Sequence, residues 1–555
     1  MARRKKTRKT DPLAGPLARA QALRTRDLPG AVLTWGKVLE RDPGNARALA
    51  ALRGTTRAER KAILAACTAL VRSGAAAHAL ALSGILGRAN PGDASLAAFE
   101  ARALVVLGDP EAALARLAPF LGGNADDAEI AASRGIALAF AGSHAAAIDH
   151  LAPLAAAGTA DPEVLNVLGS SLAFLGQLDE ARSLLLAAAR DGKLAISGLY
   201  NLSRQADLSE EPGITAQIEA IFEAEASPRQ SREMAAYALS RIRETQGERD
   251  AAFRYMALAN ALKPDAEIRR YMETIRDACS RAPAAAARIR HPAPPPPGAP
   301  RPVFILGMPR SGTTLAEQIL LRHSRAISIG ESTRLAEIYN TLCTGDAPIE
   351  AAAFRDAYLS ALPPETAGAE VVFDKMPSNA FLCGLALAAM PEAKVIHCRR
   401  HPMASAFSAF RIRFAEGYEF SHRFDSIAEF HRLTEAAMAR WSMDFPGRIL
   451  SLPYEPLTEA PELWITRMAE FCGLDMEEGL ADFRGSDALV KTASLRQVRK
   501  GIYRGSSEAW KLYAPYLAPL MAELIEEIAR YEVEVEALIA AQSPGPVPAS
   551  IIESA

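Results

Sequence analysis

Along the first half of the chain one pattern of apolar and small residues repeats: Leu-x3-Gly-x4-Ala, at a period of 34 residues. Its four copies are Leu70/Gly74/Ala79, Leu104/Gly108/Ala113, Leu138/Gly142/Ala147 and Leu172/Gly176/Ala181. Three markers held in register over four copies predict an array of paired antiparallel helices. In each pair Leu faces inward from the first helix. Gly turns the chain because it lacks a Cβ, and Ala is small enough for the second helix to cross the first. Asn90-Pro91-Gly92 and Asp161-Pro162 mark unit boundaries, where Pro suits a first helical turn. The second half reads differently. Short apolar runs at Val303–Leu306, Lys394–Cys398 and Ile449–Leu452 predict buried strands. Helical patterns occupy Leu315–Arg322 and, amphipathically, Tyr513 to about Ala540.

Between the halves, residues 291–302, HPAPPPPGAPRP, carry seven prolines. Such a segment predicts a stiff linker in polyproline geometry, assigned to residues 280–302. The helical half resembles tetratricopeptide repeats. Asp42-Pro43-Gly44-Asn45 closes an additional first unit, and Gly247/Ala252 followed by Lys263-Pro264-Asp265 marks a late one; register is lost between about 205 and 235. The resemblance spans residues 15–275 and implies a concave surface for a protein partner or for packing on the second half. Another Ala-rich helical hairpin solenoid is the alternative architecture.

With 555 residues, 49% of them hydrophobic and 23% charged, the chain has the composition of a folded multidomain protein, which excludes wholesale disorder. A net charge of −2 leaves no basic footprint for a nucleic-acid partner. The first ten residues, MARRKKTRKT, hold six Lys/Arg and no apolar run follows. Residues 1–14 therefore read as a basic, disordered tail rather than a signal peptide or anchor. No charge-free stretch of about 18 apolar residues occurs, so no membrane span is expected. The six cysteines are scattered without a C-x-x-C pair. That predicts reduced thiols in a cytoplasmic protein and no metal site. Residues 541–555 read as a loose tail.

The chemistry concentrates just after the linker. Val303–Leu306 runs into Gly307-Met308-Pro309-Arg310-Ser311-Gly312-Thr313-Thr314 and then a helix. Strand, Gly-rich loop and helix make a P-loop-type anion cradle, whose backbone N–H groups and helix N-terminus face a phosphate. Both glycines keep the spacing of G-x-x-x-x-G-K-[ST], but Thr313 stands where Lys would reach a γ-phosphate, and Arg310 brings positive charge instead. That exchange, with no clear carboxylate for magnesium after a strand, argues against an ATPase or GTPase and for a different phosphoanhydride.

Pro309-Arg310-Ser311-Gly312-Thr313-Thr314 resembles the 5′-phosphosulfate loop of sulfotransferases that use 3′-phosphoadenylyl sulfate. The likeness is in particular to the tyrosylprotein sulfotransferase branch and its bacterial relatives fused to tetratricopeptide repeats. It runs from about 302 to 535 and implies that Arg310, Ser311, Gly312, Thr313 and Thr314 bind the phosphosulfate. By the same resemblance Arg400, at the end of its strand, and Ser408, eight residues on, hold the 3′-phosphate, chemistry suited to a dianion. Tyr454, in Pro453-Tyr454-Glu455, contacts the nucleotide. Ser494 and Lys500, in a segment Thr492–Lys500 followed by Trp510, belong to a loop that covers the cofactor. Lys375, in Phe373-Asp374-Lys375-Met376-Pro377, bridges the leaving phosphate and the sulfuryl group; together with Arg310 it is a catalytic cation, and no metal is needed. The resemblance makes Glu331, in Ile329-Gly330-Glu331-Ser332-Thr333-Arg334, the base for the acceptor hydroxyl. The tyrosylprotein branch uses a second Glu where this chain has Ser332, and Glu337 is the next candidate. His401 is expected to make only local hydrogen bonds.

The expected architecture is an all-α tetratricopeptide-like solenoid at 15–275, followed by an α/β sulfotransferase domain with a parallel sheet at 303–540. The expected activity is sulfuryl transfer from 3′-phosphoadenylyl sulfate to a hydroxyl on a protein tyrosine, a carbohydrate or a small molecule, with the repeats as a partner- or acceptor-binding scaffold. The alternatives are a P-loop kinase or NTPase, and an inactive repeat scaffold.

Overall fold

The computed structural model describes residues 13–72, 74–121, 128–292, 294–414, 417–477, 480 and 507–542. Contacts divide the chain into two compact units, parting between Ala206 and Asp207.

The first unit is helical from Ala14 to Gln205. The repeating glycines sit in the turns that join Arg57–Arg72 to Ala76–Ala89, Ala94–Val106 to Pro110–Leu117, Ala128–Phe140 to His144–Ala156, and Pro162–Phe174 to Leu178–Arg190. Their φ values are 83°, 84°, 87° and 90°, a left-handed conformation that a side chain opposes. Each turn closes in the same way. The N–H after the glycine donates to the carbonyl of the pattern Leu: Ala75 to Leu70, Asp109 to Leu104, Ser143 to Leu138 and Gln177 to Leu172, at 2.8–3.0 Å. These bonds satisfy carbonyls that a helix end otherwise leaves open. The pattern Ala residues are fully buried. Of the Leu residues only Leu172 is buried and the others are half-buried, so their register reflects the turn as much as the inner face. Asp27, Asn45, Asp93, Asp109 and Asp161 cap helix N-termini by accepting from backbone N–H groups two or three residues on.

The second unit contains seven strands among the described residues: β1 (Ile289–Arg290), β2 (Arg301–Gly307), β3 (Ala326–Ser328), β4 (Ile349–Glu350), β5 (Val371–Lys375), β6 (Lys394–Arg399) and β7 (Ile449–Pro453). Five form a parallel sheet in the order β3-β5-β2-β6-β7, and β1 pairs with β4. β2 is central, and its Val303–Leu306 stretch is buried on both faces, which explains a continuous apolar run instead of alternation.

Four helices, Pro212–Glu223, Arg229–Thr245, Arg249–Ala261 and Asp265–Ala286, belong to this unit and not to the array before it. Ala252, Met256, Ile268, Met272 and Ile275 share one core with Phe407, Phe410, Phe420 and Phe430. The boundary therefore lies near 206, whereas the extended repeat reading puts it near 275. The proline-rich segment differs from a free linker as well. Residues 280–286 complete a helix, Ile289–Arg290 joins a strand pair, and the Pro294 carbonyl accepts from Arg355 at 3.3 Å. Residues 1–12, 543–555 and Thr492–Lys500 lie outside the described residues.

Candidate active site

The parallel strands bring their carboxyl ends to one edge, the place where open α/β sheets bind ligands. β2 delivers the loop Gly307–Gly312, β5 delivers Lys375, β6 leads to Arg400, β7 leads to Tyr454, and the chain after β3 carries Glu331.

The loop is built from unusual torsions. Gly307 has φ 140°, and a Cβ there would meet the Cys398 carbonyl oxygen at 2.2 Å. Gly312 has φ 106°, and its Cβ would meet Tyr454 Cδ2 at 2.8 Å. Arg310 is left-handed at φ 74° without being glycine, a strained conformation of the kind that functional loops hold. Helix Thr313–Leu320 starts immediately afterwards, and its first N–H groups have no acceptor within the helix. Ser311 is buried, and its Oγ has no hydrogen-bond partner among the described residues.

Arg400, Ser408 and Tyr454 surround that loop. Arg400 is buried; it donates to the Arg310 carbonyl and to Ser507 Oγ, both at 3.1 Å, and lies 4.7 Å over the Tyr454 ring. Burial pulls its guanidinium below the ordinary value, with Tyr454 and Glu455 opposing. Ser408, on helix Pro402–Phe410, accepts from Arg310 Nε at 3.0 Å. Arg310 and Ser408, expected at opposite ends of a nucleotide, thus touch each other. Ser494 and Lys500 fall outside the described residues.

Lys375 is 1% exposed and donates to Glu331 Oε1 at 2.5 Å. The Lys375 backbone N–H donates to the Gly330 carbonyl at 3.0 Å, and the Ile329 N–H to the Phe373 carbonyl, so the Glu331 segment is zipped to β5. The expected base and cation are therefore one ion pair. Glu337 is turned elsewhere: it accepts from Thr333 Oγ at 2.7 Å and Arg334 at 3.0 Å, bonds that hold its carboxyl below the usual range. Ser332 Oγ accepts from the Arg334 N–H at 3.2 Å. His401 caps its helix by accepting from the Met403 N–H, and it stacks on Trp510 at 5.4 Å.

Three buried groups escaped the sequence reading. Glu317 lies on the helix after the loop, with Oε2 3.9 Å from Lys375 and Oε1 accepting from Ser328 Oγ at 2.5 Å. Asp374 is fully buried, accepting from Tyr358 at 3.1 Å and Asn379 at 3.2 Å, and burial pushes its carboxyl up to about 7. Ser507 completes the Arg400 contacts. The available signal was the polar pair Glu317-Gln318 inside an apolar helical run, since both side chains are buried. Among the described residues no group of three or more His, Cys, Asp or Glu side chains gathers as metal ligands.

Residues 302–478, which carry the loop, Lys375, Arg400 and Tyr454, match the model of a sulfotransferase family. An uncharacterised protein of Aquifex aeolicus (strain VF5) is 34% identical over 341 residues, covering 56% of this chain and 43% of the relative. The chain thus spans less than half the length of that protein. Among solved structures, the sulfotransferase domain of the Synechococcus PCC 7002 olefin synthase is 23% identical, covering 40% of this chain and 91% of that domain at a TM-score of 0.31. The sulfotransferase domain from the curacin biosynthetic pathway is 18% identical, covering 38% and 90% at a TM-score of 0.29.

Proposed function

We propose that the chain is a sulfotransferase that moves a sulfuryl group from 3′-phosphoadenylyl sulfate to a hydroxyl acceptor. The observation that carries this reading is the sulfotransferase-family match over the segment that gathers an anion loop, a buried Lys375 paired with the more exposed Glu331, and a buried Arg at one sheet edge. The residues fit the donor. Ser311 Oγ is a buried donor without a partner among the described residues, Gly312 lets Tyr454 close on the loop where a Cβ would strike its ring, and the loop leads straight into the N-terminus of helix Thr313–Leu320, a place that suits an anion. When bound, the donor supplies a sulfuryl group on a phosphate leaving group.

The chain's own residues do the rest. Arg310, Ser311, Gly312, Thr313 and Thr314 hold the 5′-phosphosulfate, while Arg400 and Ser408 hold the 3′-phosphate beside Tyr454. Ser494 and Lys500 are assigned to the same nucleotide. Glu331 takes the proton of the acceptor hydroxyl. Lys375, with Arg310, places positive charge where the phosphate oxygen becomes negative, and its burial strengthens that interaction. The helical first unit acts as a tetratricopeptide-like scaffold that binds an acceptor or a protein partner. No helix among the described residues is long and apolar enough to cross a membrane, and we place the protein in the cytoplasm.

Thermal shift tests the reading. Adenosine 3′,5′-bisphosphate should raise Tm by more than ATP with magnesium or adenosine 5′-phosphosulfate, because a ligand stabilises by RT ln(1 + [L]/Kd). Equal effects of ligands with and without the 3′-phosphate would sink it. Transfer of labelled sulfate to a lysate then identifies the acceptor class.

A further inference from the structure

Two carboxylates face one buried ammonium. Lys375 Nζ bonds Glu331 Oε1 at 2.5 Å on one side and has Glu317 Oε2 at 3.9 Å on the other, within ion-pair reach. The two acids differ in setting. The Glu331 side chain is about a third exposed and sits on a loop, whereas Glu317 is 5% exposed and sits on the helix that follows the anion loop. Glu317 is fixed there by Ser328 Oγ, which also accepts from the Gly330 N–H at 2.9 Å. One serine therefore links the buried acid to the segment that carries Glu331.

A buried ammonium with no ionised partner is costly. When the acceptor O–H bond breaks, its proton passes to a Glu331 oxygen and its electron pair stays on the acceptor oxygen. Glu331 then becomes neutral, and Lys375 loses its nearer counter-charge at the moment its own charge is needed. We propose that Glu317 is the standing counter-ion of Lys375, a positioning residue that keeps the ammonium charged and aimed while Glu331 takes up a proton. The role of Glu331 in this proposal rests on the sulfotransferase reading; the pairing with Lys375 does not. Burial raises the Glu317 carboxyl while Lys375 and Ser328 pull it back, so its ionised form depends on that lysine.

The test is a double-mutant cycle in the full chain, with Glu317→Gln and Lys375→Met made singly and together. Glutamine keeps the shape and can still accept from Ser328. Glu317→Gln should lower Tm by a few degrees in the native background and should leave Tm unchanged or raise it in the Lys375→Met background. Turnover of Glu317→Gln should fall at least about 10-fold while KM for the sulfuryl donor changes less than about 3-fold, the pattern of an interaction that matters in the transition state. Equal lowering of Tm in both backgrounds would overturn the counter-ion assignment, because Glu317 would then serve only Ser328. Native turnover in Glu317→Gln would overturn its part in catalysis. A coupled cycle in a native protein that adenosine 3′,5′-bisphosphate does not stabilise would support the counter-ion pairing and sink the sulfotransferase reading instead.

Discussion

Cutting the chain at residue 280, the boundary that the repeat and linker readings suggest, should destroy the second unit rather than liberate it. Such a fragment loses Met256, Ile268, Met272 and Ile275 from the core shared with Phe407 and Phe410. At about 1.5–3 kcal/mol for each fully buried side chain, those four alone account for at most roughly 6–12 kcal/mol. A whole domain is stable by only about 5–15 kcal/mol. Specific bonds go as well. Asn260 donates to the Phe410 carbonyl at 2.9 Å, Arg411 pairs with Glu244 at 2.7 Å, and Phe253 stacks on Tyr516 at 4.7 Å. Phe410 and Arg411 close the helix that carries Ser408, so the damage reaches the Arg310–Ser408 contact. The assay compares fragments 207–555 and 280–555 by circular dichroism melts, with and without adenosine 3′,5′-bisphosphate. The longer fragment should melt cooperatively and be stabilised by the nucleotide; the shorter should show no cooperative transition. Matching Tm values for the two fragments would refute the reasoning.

Arg400→Ala should weaken adenosine 3′,5′-bisphosphate by about 1.5–3 kcal/mol, the scale of a charged hydrogen bond, and leave a ligand without the 3′-phosphate nearly unaffected; calorimetric titration reads both. Glu331→Gln should slow turnover by roughly 10²–10⁴-fold with nucleotide affinity almost intact, while Glu337→Gln, whose carboxylate is engaged by Thr333 and Arg334, should turn over normally. Near-native rates in Glu331→Gln would place the base elsewhere. Asp374 gives a pH signature: burial pushes its carboxyl up to about 7, against hydrogen bonds from Tyr358 and Asn379. The unfolded chain releases that proton near pH 4, so between about pH 4 and 7 the folded state binds more protons and stability falls as pH rises. Asp374→Asn should flatten Tm across that window, and an unaltered slope would reject the assignment.

What the sequence by itself determined is local. The 34-residue spacing placed glycines where the chain turns between helices, because only glycine reaches φ near 83–90° without cost. Apolar runs marked β2, β6 and β7, and the glycines of the anion loop stood where a Cβ would strike Cys398 or Tyr454. The resemblance named Arg310, Lys375 and Arg400 from motifs that are contiguous in the chain. Tertiary structure decided the pairings. Arg310 meets Ser408 and Arg400 meets Ser507 across about a hundred residues, and Lys375 meets both Glu331 and Glu317. These follow from the strand order β3-β5-β2-β6-β7, which sets distant segments side by side and which no local propensity encodes. The boundary near 206 has the same origin. The helices around Gly247 and Lys263 read like those before them, since amphipathic patterning specifies that a face is buried but not which partner buries it. The core that Ala252–Ile275 shares with Phe407, Phe410, Phe420 and Phe430, and the pairs Glu244–Arg411 and Glu233–Arg413, tie them to the second unit.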